Sequence, residues 1–168
     1  MLRIRFRFVP LAALSIIALC SPLMLAANTI SVTPAPPETV AVALSLPGFI
    51  GDKLVGIGTA TVTHILDDKN HNNWWYDITV QAISVDPAPS GIIMLRLQYD
   101  GGAWHELVGP DGTLQNARTL QSILFKNANA GVPVTKVVTF EATTFADGSV
   151  IAGDYVFEVT YTITDPYK

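Results

Sequence analysis

Between Glu38 and Thr164 apolar side chains recur at every second residue, in short runs broken by turn residues. In the last run Tyr155, Phe157, Val159, Tyr161 and Ile163 alternate with Asp154, Val156, Glu158, Thr160, Thr162 and Thr164. Trp74, Tyr76, Ile78, Val80 and Ala82 repeat the pattern against Trp75, Asp77, Thr79 and Gln81. Successive side chains of a strand point to opposite faces, so this spacing describes strands with one buried face. Nowhere does an apolar period of 3.6 persist for three turns, and helix is therefore a minor component. Strands are predicted over Val40–Leu46, Leu54–Leu66, Trp74–Val85, Ile92–Tyr99, Ala103–Val108, Leu120–Phe125, Val134–Phe145 and Gly153–Thr164. Asp100-Gly101-Gly102, Gly109-Pro110-Asp111-Gly112 and Asp147-Gly148 supply hairpin turns, because they reach positive φ or preset the turn. Two sheets burying such faces against each other give an all-β, immunoglobulin-like or jelly-roll β-sandwich of about eight strands.

The N-terminus follows a different rule. Arg3, Arg5 and Arg7 precede an uncharged apolar run from Phe8 to Ala27, which ends in the small residues Ala26 and Ala27. A basic region followed by an apolar one and a small-residue site matches a cleaved secretory signal peptide over residues 1–27, and places the protein at the cell surface or outside the cell. Two other readings of the run stay open. It is about the ~20 residues that cross a bilayer, as an uncleaved anchor would. Ile17-Ala18-Leu19-Cys20 resembles a lipobox with an acylated cysteine, although Leu19 stands where that motif has a small residue. In either case contact with a membrane is expected only through the leader.

Cys20 is the single cysteine, so the exported chain has no disulfide, thiolate nucleophile or zinc cluster, and its core must hold by packing. Taking the leader's three arginines from the ten Lys+Arg leaves seven against 14 Asp+Glu, with no basic stripe to neutralise phosphates, which argues against nucleic acid. Residues 28–37 form an N-terminal extension: the alternating segment Asn28–Thr33, then Pro34-Ala35-Pro36-Pro37. Prolines at this density make an extended spacer that detaches Asn28–Thr33 from the sandwich domain, residues 38–168.

Chemistry is thinly marked. Asp68, Asn70 and Asn72 have the alternate spacing that opens a calcium loop, but Asn73 and Thr79 stand where an EF-hand needs glycine and a bidentate acid. A solvated hairpin tip is the expectation, without a metal or any other cofactor. His64, His71 and His105 have no metal-ligand spacing, and there is no nucleophile elbow. Glu106 could face Glu141 or Glu158 across a sheet, as paired glycosidase carboxylates do, but alternating acids are ordinarily the wet face of a sheet. No catalytic residue is assigned, and the chain is read as a non-enzyme. Strand alternation turns Trp75 away from Trp74 and Tyr76, so Trp75, with Trp104, is the candidate ligand platform of a secreted monomeric carbohydrate or cell-wall binding module.

The detached segment with Ile30 and Val32, its proline spacer, and the closing run Ala152-Gly153-Asp154-Tyr155 to Thr164 with the penultimate aromatic Tyr167 together resemble donor-strand filament subunits, the chaperone-usher pilins and biofilm-matrix fibre proteins. The closing run is also similar to the end of bacterial surface domains of the WxL type, without their W-x-L tripeptides. The filament resemblance implies a sandwich with an open groove that a neighbour's N-terminal extension fills. It implies Ile30 and Val32 as donor-strand knobs and Tyr155, Phe157, Val159, Tyr161 and Ile163 as the lining of the receiving core or groove. It further implies a homopolymer of copies of this chain, assembled into a pilus or biofilm-matrix fibre, and a secretion chaperone as second partner. N-terminal sequencing of extracellular protein should read from Asn28; recovery of Met1 or of an acylated Cys20 would overturn the leader assignment.

Overall fold

The computed structural model describes residues 2–6, 28–33, 39–42, 53–68, 71–86, 93–145 and 155–165. Ten strands make up nearly all of it: β1 (Leu2–Phe6), β2 (Thr29–Thr33), β3 (Thr39–Val42), β4 (Lys53–Ile65), β5 (Trp74–Asp86), β6 (Met94–Tyr99), β7 (Trp104–Val108), β8 (Arg118–Phe125), β9 (Pro133–Phe145) and β10 (Tyr155–Thr164). The one helical element described is a single 3-10 turn at Asn127–Asn129. The first sheet has the order β3-β1-β10-β5-β8 and the second β2-β4-β9-β6-β7. All neighbours are antiparallel except β1 and β3, which run parallel.

The predicted β-sandwich is therefore the observed architecture, with two strands beyond the predicted eight. The first is β2, the alternating segment expected to stand apart from the domain. It is separated in sequence by the proline spacer, whose residues lie outside those described, but in space it is the edge strand of the second sheet. The second is β1, Leu-Arg-Ile-Arg-Phe, inside the segment read as leader. Its period-2 alternation is a strand signal that the basic-then-apolar pattern of a signal peptide overshadows.

Alternation places the core where the sequence predicts it. Phe157, Val159 and Tyr161 of β10, and Tyr76, Ile78, Val80 and Ala82 of β5, are buried. From the second sheet Val62, Leu95, Leu97, Val138, Phe140 and Ala142 pack with Val80, Ala82, Phe157, Val159 and Tyr161. Each large side chain so buried stabilises the fold by roughly 1.5–3 kcal/mol relative to exposure, which a disulfide-free domain requires many times over. The longest pairing, β4 with β9, sets Gly58 opposite Phe140, and a cross-strand glycine leaves lateral space for the phenyl ring. A smaller cluster of Leu66, Tyr76 and Phe125, flanked by Trp74, Ile123, Ala130 and Ile163, lies apart from the main core.

The β6–β7 hairpin shows how turn chemistry sets register. Asp100 (φ 50°) and Gly101 (φ 71°) both adopt the left-handed region, and Gly102 N–H donates to Tyr99 C=O at 2.9 Å. Two central residues of positive φ define the type I′ turn that suits the twist of adjoining strands. Phe140→Ala would leave a cavity between the sheets, and we expect it to lower unfolding stability by about 3–5 kcal/mol, read as a reduced urea midpoint with an unchanged slope.

Candidate functional site

The residues singled out for strand exchange converge in one chain. β2 pairs with β4 in the register Ile30↔His64 and Val32↔Val62. Val32 is 7% exposed, and Ile30 packs half-buried against the same cluster that contains Phe157, Val159 and Tyr161. Ile30 and Val32 thus occupy the core of their own chain, beside the residues predicted to receive them. Ile163 belongs to the smaller cluster, and the side chain of Tyr155 lies outside the described residues. The segment is held lightly. It has one neighbouring strand, and its start is tied by Asp67 N–H donating to Asn28 Oδ1 at 3.0 Å.

On the first sheet, β1 fills the place beside β10, in the register Leu2↔Val159, Ile4↔Phe157 and Phe6↔Tyr155. It is also the strand to which β3 pairs, from Arg3↔Thr39 to Phe6↔Val42. The β10 edge that the closing run presents is consequently covered by residues 2–6. The main core contains two buried tyrosine hydroxyls without a hydrogen-bond partner among the described residues, those of Tyr99 and Tyr161. Burial pushes the Tyr99 hydroxyl up to about 12 and Tyr161 well above the usual phenol value, so both remain protonated.

The aromatic platform is divided between the sheets. Trp75 points outward from the first sheet as alternation predicts and is 42% exposed, in register with Leu124 of β8. Trp104 lies on the second sheet, where the Arg96 guanidinium covers its ring at 4.4 Å from the centroid. The two tryptophans do not form a row.

In the loop before β5 the oxygen groups of Asp68 and Asn72 are committed to protein partners. The Asp68 carboxylate accepts from His71 Nδ1 at 2.7 Å and from the Tyr76 hydroxyl, and Asn72 Oδ1 accepts from Asn127 N–H at 3.1 Å. Burial, together with the Asp68 bond, raises Tyr76 to about 12. Asn70 lies outside the described residues. Among the described residues no group of three His, Cys, Asp or Glu side chains is arranged to hold a metal ion.

Glu106 and Glu141 do share a depression, about 210 Å³ in volume, on the outer face of the second sheet. Arg96 stands between them in register and holds Glu141 through Nη2, 2.9 Å from Oε1 and 3.0 Å from Oε2. A glycosidase pair needs a sugar ring between its carboxyls, and here a guanidinium fills that space. Glu158 is on the other sheet and accepts from Ser84 Oγ at 3.0 Å.

Two features were not singled out as sites from sequence. One is an apolar mouth of about 120 Å³ between the sheets, lined by His64, Leu66, Ile123, Phe125, Val132 and Val134, among others. Its lining combines the ends of β4 and β8 with the start of β9, which only the sheet packing brings together. The other is the free edge of β8, the last strand of the first sheet. An uncharged run between Arg118 and Lys126 is its sequence trace.

Compared with known proteins, the chain matches no family model, no curated protein sequence and no solved structure. Among the described residues no helix is long and apolar enough to cross a membrane.

His64, 3% exposed and with no partner for Nδ1 among the described residues, is held neutral, because burial first and the Lys136 ammonium second lower its pKa from 6.5. The unfolded chain takes up a proton at the usual value, so the stability linked to His64 is complete above pH 6.5 and is lost as pH falls below it towards the lowered folded value. The melting temperature of wild type should drop between pH 7.5 and 5, and His64→Leu should flatten that drop. Equal slopes in the two proteins would remove His64 from the titration.

Proposed function

We propose that this chain is the structural subunit of an extracellular filament, in which the N-terminal strand of one copy completes the sandwich of the next. The observation that carries the reading is the position of β1. The place beside β10 is taken by Leu2–Phe6, residues that the sequence assigns to a leader removed on export. Cleavage would leave the Tyr155–Val159 edge of β10 without a neighbour and deprive β3 of its partner. A sheet interrupted in this way exposes backbone donors and acceptors together with apolar core, and a strand from outside satisfies both.

The donor is Thr29–Thr33 of a second copy. Its two branched residues, Ile30 and Val32, are spaced like alternate positions of the strand they replace, and four residues rich in proline follow them in sequence. Release of the segment breaks one ladder of five residue pairs and the Asn28 bond and uncovers Ile30 and Val32, a loss that burial of the same two side chains in the next copy offsets. Each subunit then gives one strand and receives one, a head-to-tail contact that does not close on itself and so propagates as a fibre. A secretion chaperone would cover the open edge before assembly.

The test uses the exported chain beginning at Asn28, examined by negative-stain microscopy and light scattering. Wild type should form heat-resistant filaments. Deletion of residues 28–33, or Ile30→Asp with Val32→Asp, should leave folded monomers, since two charges in an apolar groove oppose docking by several kcal/mol. A synthetic peptide of residues 1–8 should cap β10 and stop growth of the wild-type fibre. If the wild-type protein stays monomeric at high concentration, the filament reading fails, and a carbohydrate or cell-wall binding module takes its place.

A further inference from the structure

Of the strands at the sheet margins, β8 stands out because of its charge pattern. It pairs with β5 on one side, from Trp74↔Phe125 to Val80↔Arg118, and has no strand on the other among the described residues. Thr119–Phe125 contains no charge, proline or glycine, and a basic residue, Arg118 or Lys126, bounds each end. Both basic residues are exposed. Neither forms an ion pair among the described residues, and Arg118 makes a 3.5 Å hydrogen bond to Gln115 Oε1. Near its end the strand is apolar on both faces. Ile123 lines the mouth between the sheets, and Leu124, 37% exposed, sits beside Trp75 on the outer face. Edge strands ordinarily deter added strands with an inward charge, a proline or a bulge. β8 has a bulge at Leu120, where Ile78↔Gln121 steps to Thr79↔Thr119, but its ladder from Gln121 to Phe125 is regular and its charges stand only at the ends.

We propose that the free edge of β8 is a strand-addition site for an extended segment of a different protein, with an uncharged alternating centre and a carboxylate at each end. Main-chain pairing with β8 would supply the affinity. The two basic residues, eight positions or about 27 Å apart in extended chain, would set register and select the acidic flanks. The partner's apolar residues would cover Ile123 on one face and the Trp75–Leu124 pair on the other. The described edge strands of a second copy do not supply such a strand. Antiparallel pairing of β8 with itself about Ser122 sets Arg118 against Lys126, β2 has no acid at either end, β3 has one only before its start, at Glu38, and β7 carries Glu106 within the strand. Residues 77–86 of β5 have an acid at each end but belong to an interior strand. This site is independent of the exchange proposed at β10, because it lies at the opposite side of β5.

The test is binding of two fluorescent peptides to the full exported chain, measured by anisotropy: Asp-Thr-Val-Thr-Ile-Thr-Val-Thr-Asp and its counterpart with lysine at both ends. The acidic-ended peptide should bind saturably and the lysine-ended one should not. The double variant Arg118→Glu with Lys126→Glu, its fold checked by circular dichroism, should weaken the acidic peptide by about tenfold and gain the lysine-ended one, as expected for two surface charge pairs reversed in sign. Methylating alternate backbone nitrogens of the acidic peptide should abolish binding while leaving its charge intact. Absence of binding, equal binding of both peptides, indifference to the charge reversal, or full binding of the methylated peptide would each overturn the proposal. Self-association that depends on Arg118 and Lys126 in place of peptide binding would do the same. Filament growth should be unaffected in the charge-reversed variant, which separates failure here from failure of the assembly reading.

Discussion

A sandwich without a disulfide is held by burial between two sheets, and every open sheet ends in strands whose outward N–H and C=O groups have lost their ladder. Those margins, more than the core, differentiate this molecule. At β7 the chain covers its own edge: Gln115 N–H donates to Leu107 C=O at 2.9 Å, Gly109 N–H donates to Thr113 C=O at 2.9 Å, and Leu114 bridges to Val108. Gly112, at φ 77°, allows the tight return that this cover requires. Nothing comparable guards β8 among the described residues, and at β2 the margin is a five-residue strand held by one neighbour.

The core imposes a hierarchy on these margins. Phe140, Phe157 and Leu97 are fully buried at the centre, where side chains from both sheets pack together. Towards the end marked by Leu66 and Phe125 the cluster thins, and the sheets part into the mouth beside His64. A buried imidazole with an unsatisfied nitrogen at that point, on the strand that holds β2, places a polar defect where the structure is least redundant. The edge strand β2 nevertheless reaches the main core, through Val32 and the half-buried Ile30.

Charge follows the same division. Arg96, Glu106 and Glu141 form a row across the outer face of the second sheet, and Arg96 also covers Trp104, so the groups that looked most like chemistry are spent on one another. The Asp68 loop closes in a similar way, with His71, Tyr76 and Trp74 packed around it and Trp74 Nε1 bonded to Asp165 at 2.9 Å.

Eight of the ten described strands, the buried face of β5 and β10, and the Asp100-Gly101 hairpin were legible in the residues, because period-2 alternation and positive-φ turns are local properties of the chain; β1 was hidden under the leader pattern. The outward turn of Trp75 followed from the same alternation. Sheet order was not legible, since it depends on contacts between residues far apart in sequence. No local signal places β1 between β3 and β10, or brings Val134 of β9 and Ile123 of β8 to the same mouth as His64. The fate of Ile30 and Val32 was half determined: their spacing required an apolar seat, and only the packing decided that β4 supplies one within the chain. Glu106 and Glu141 show the same limit, because alternation put both on an outer face and the β6 register alone set Arg96 between them.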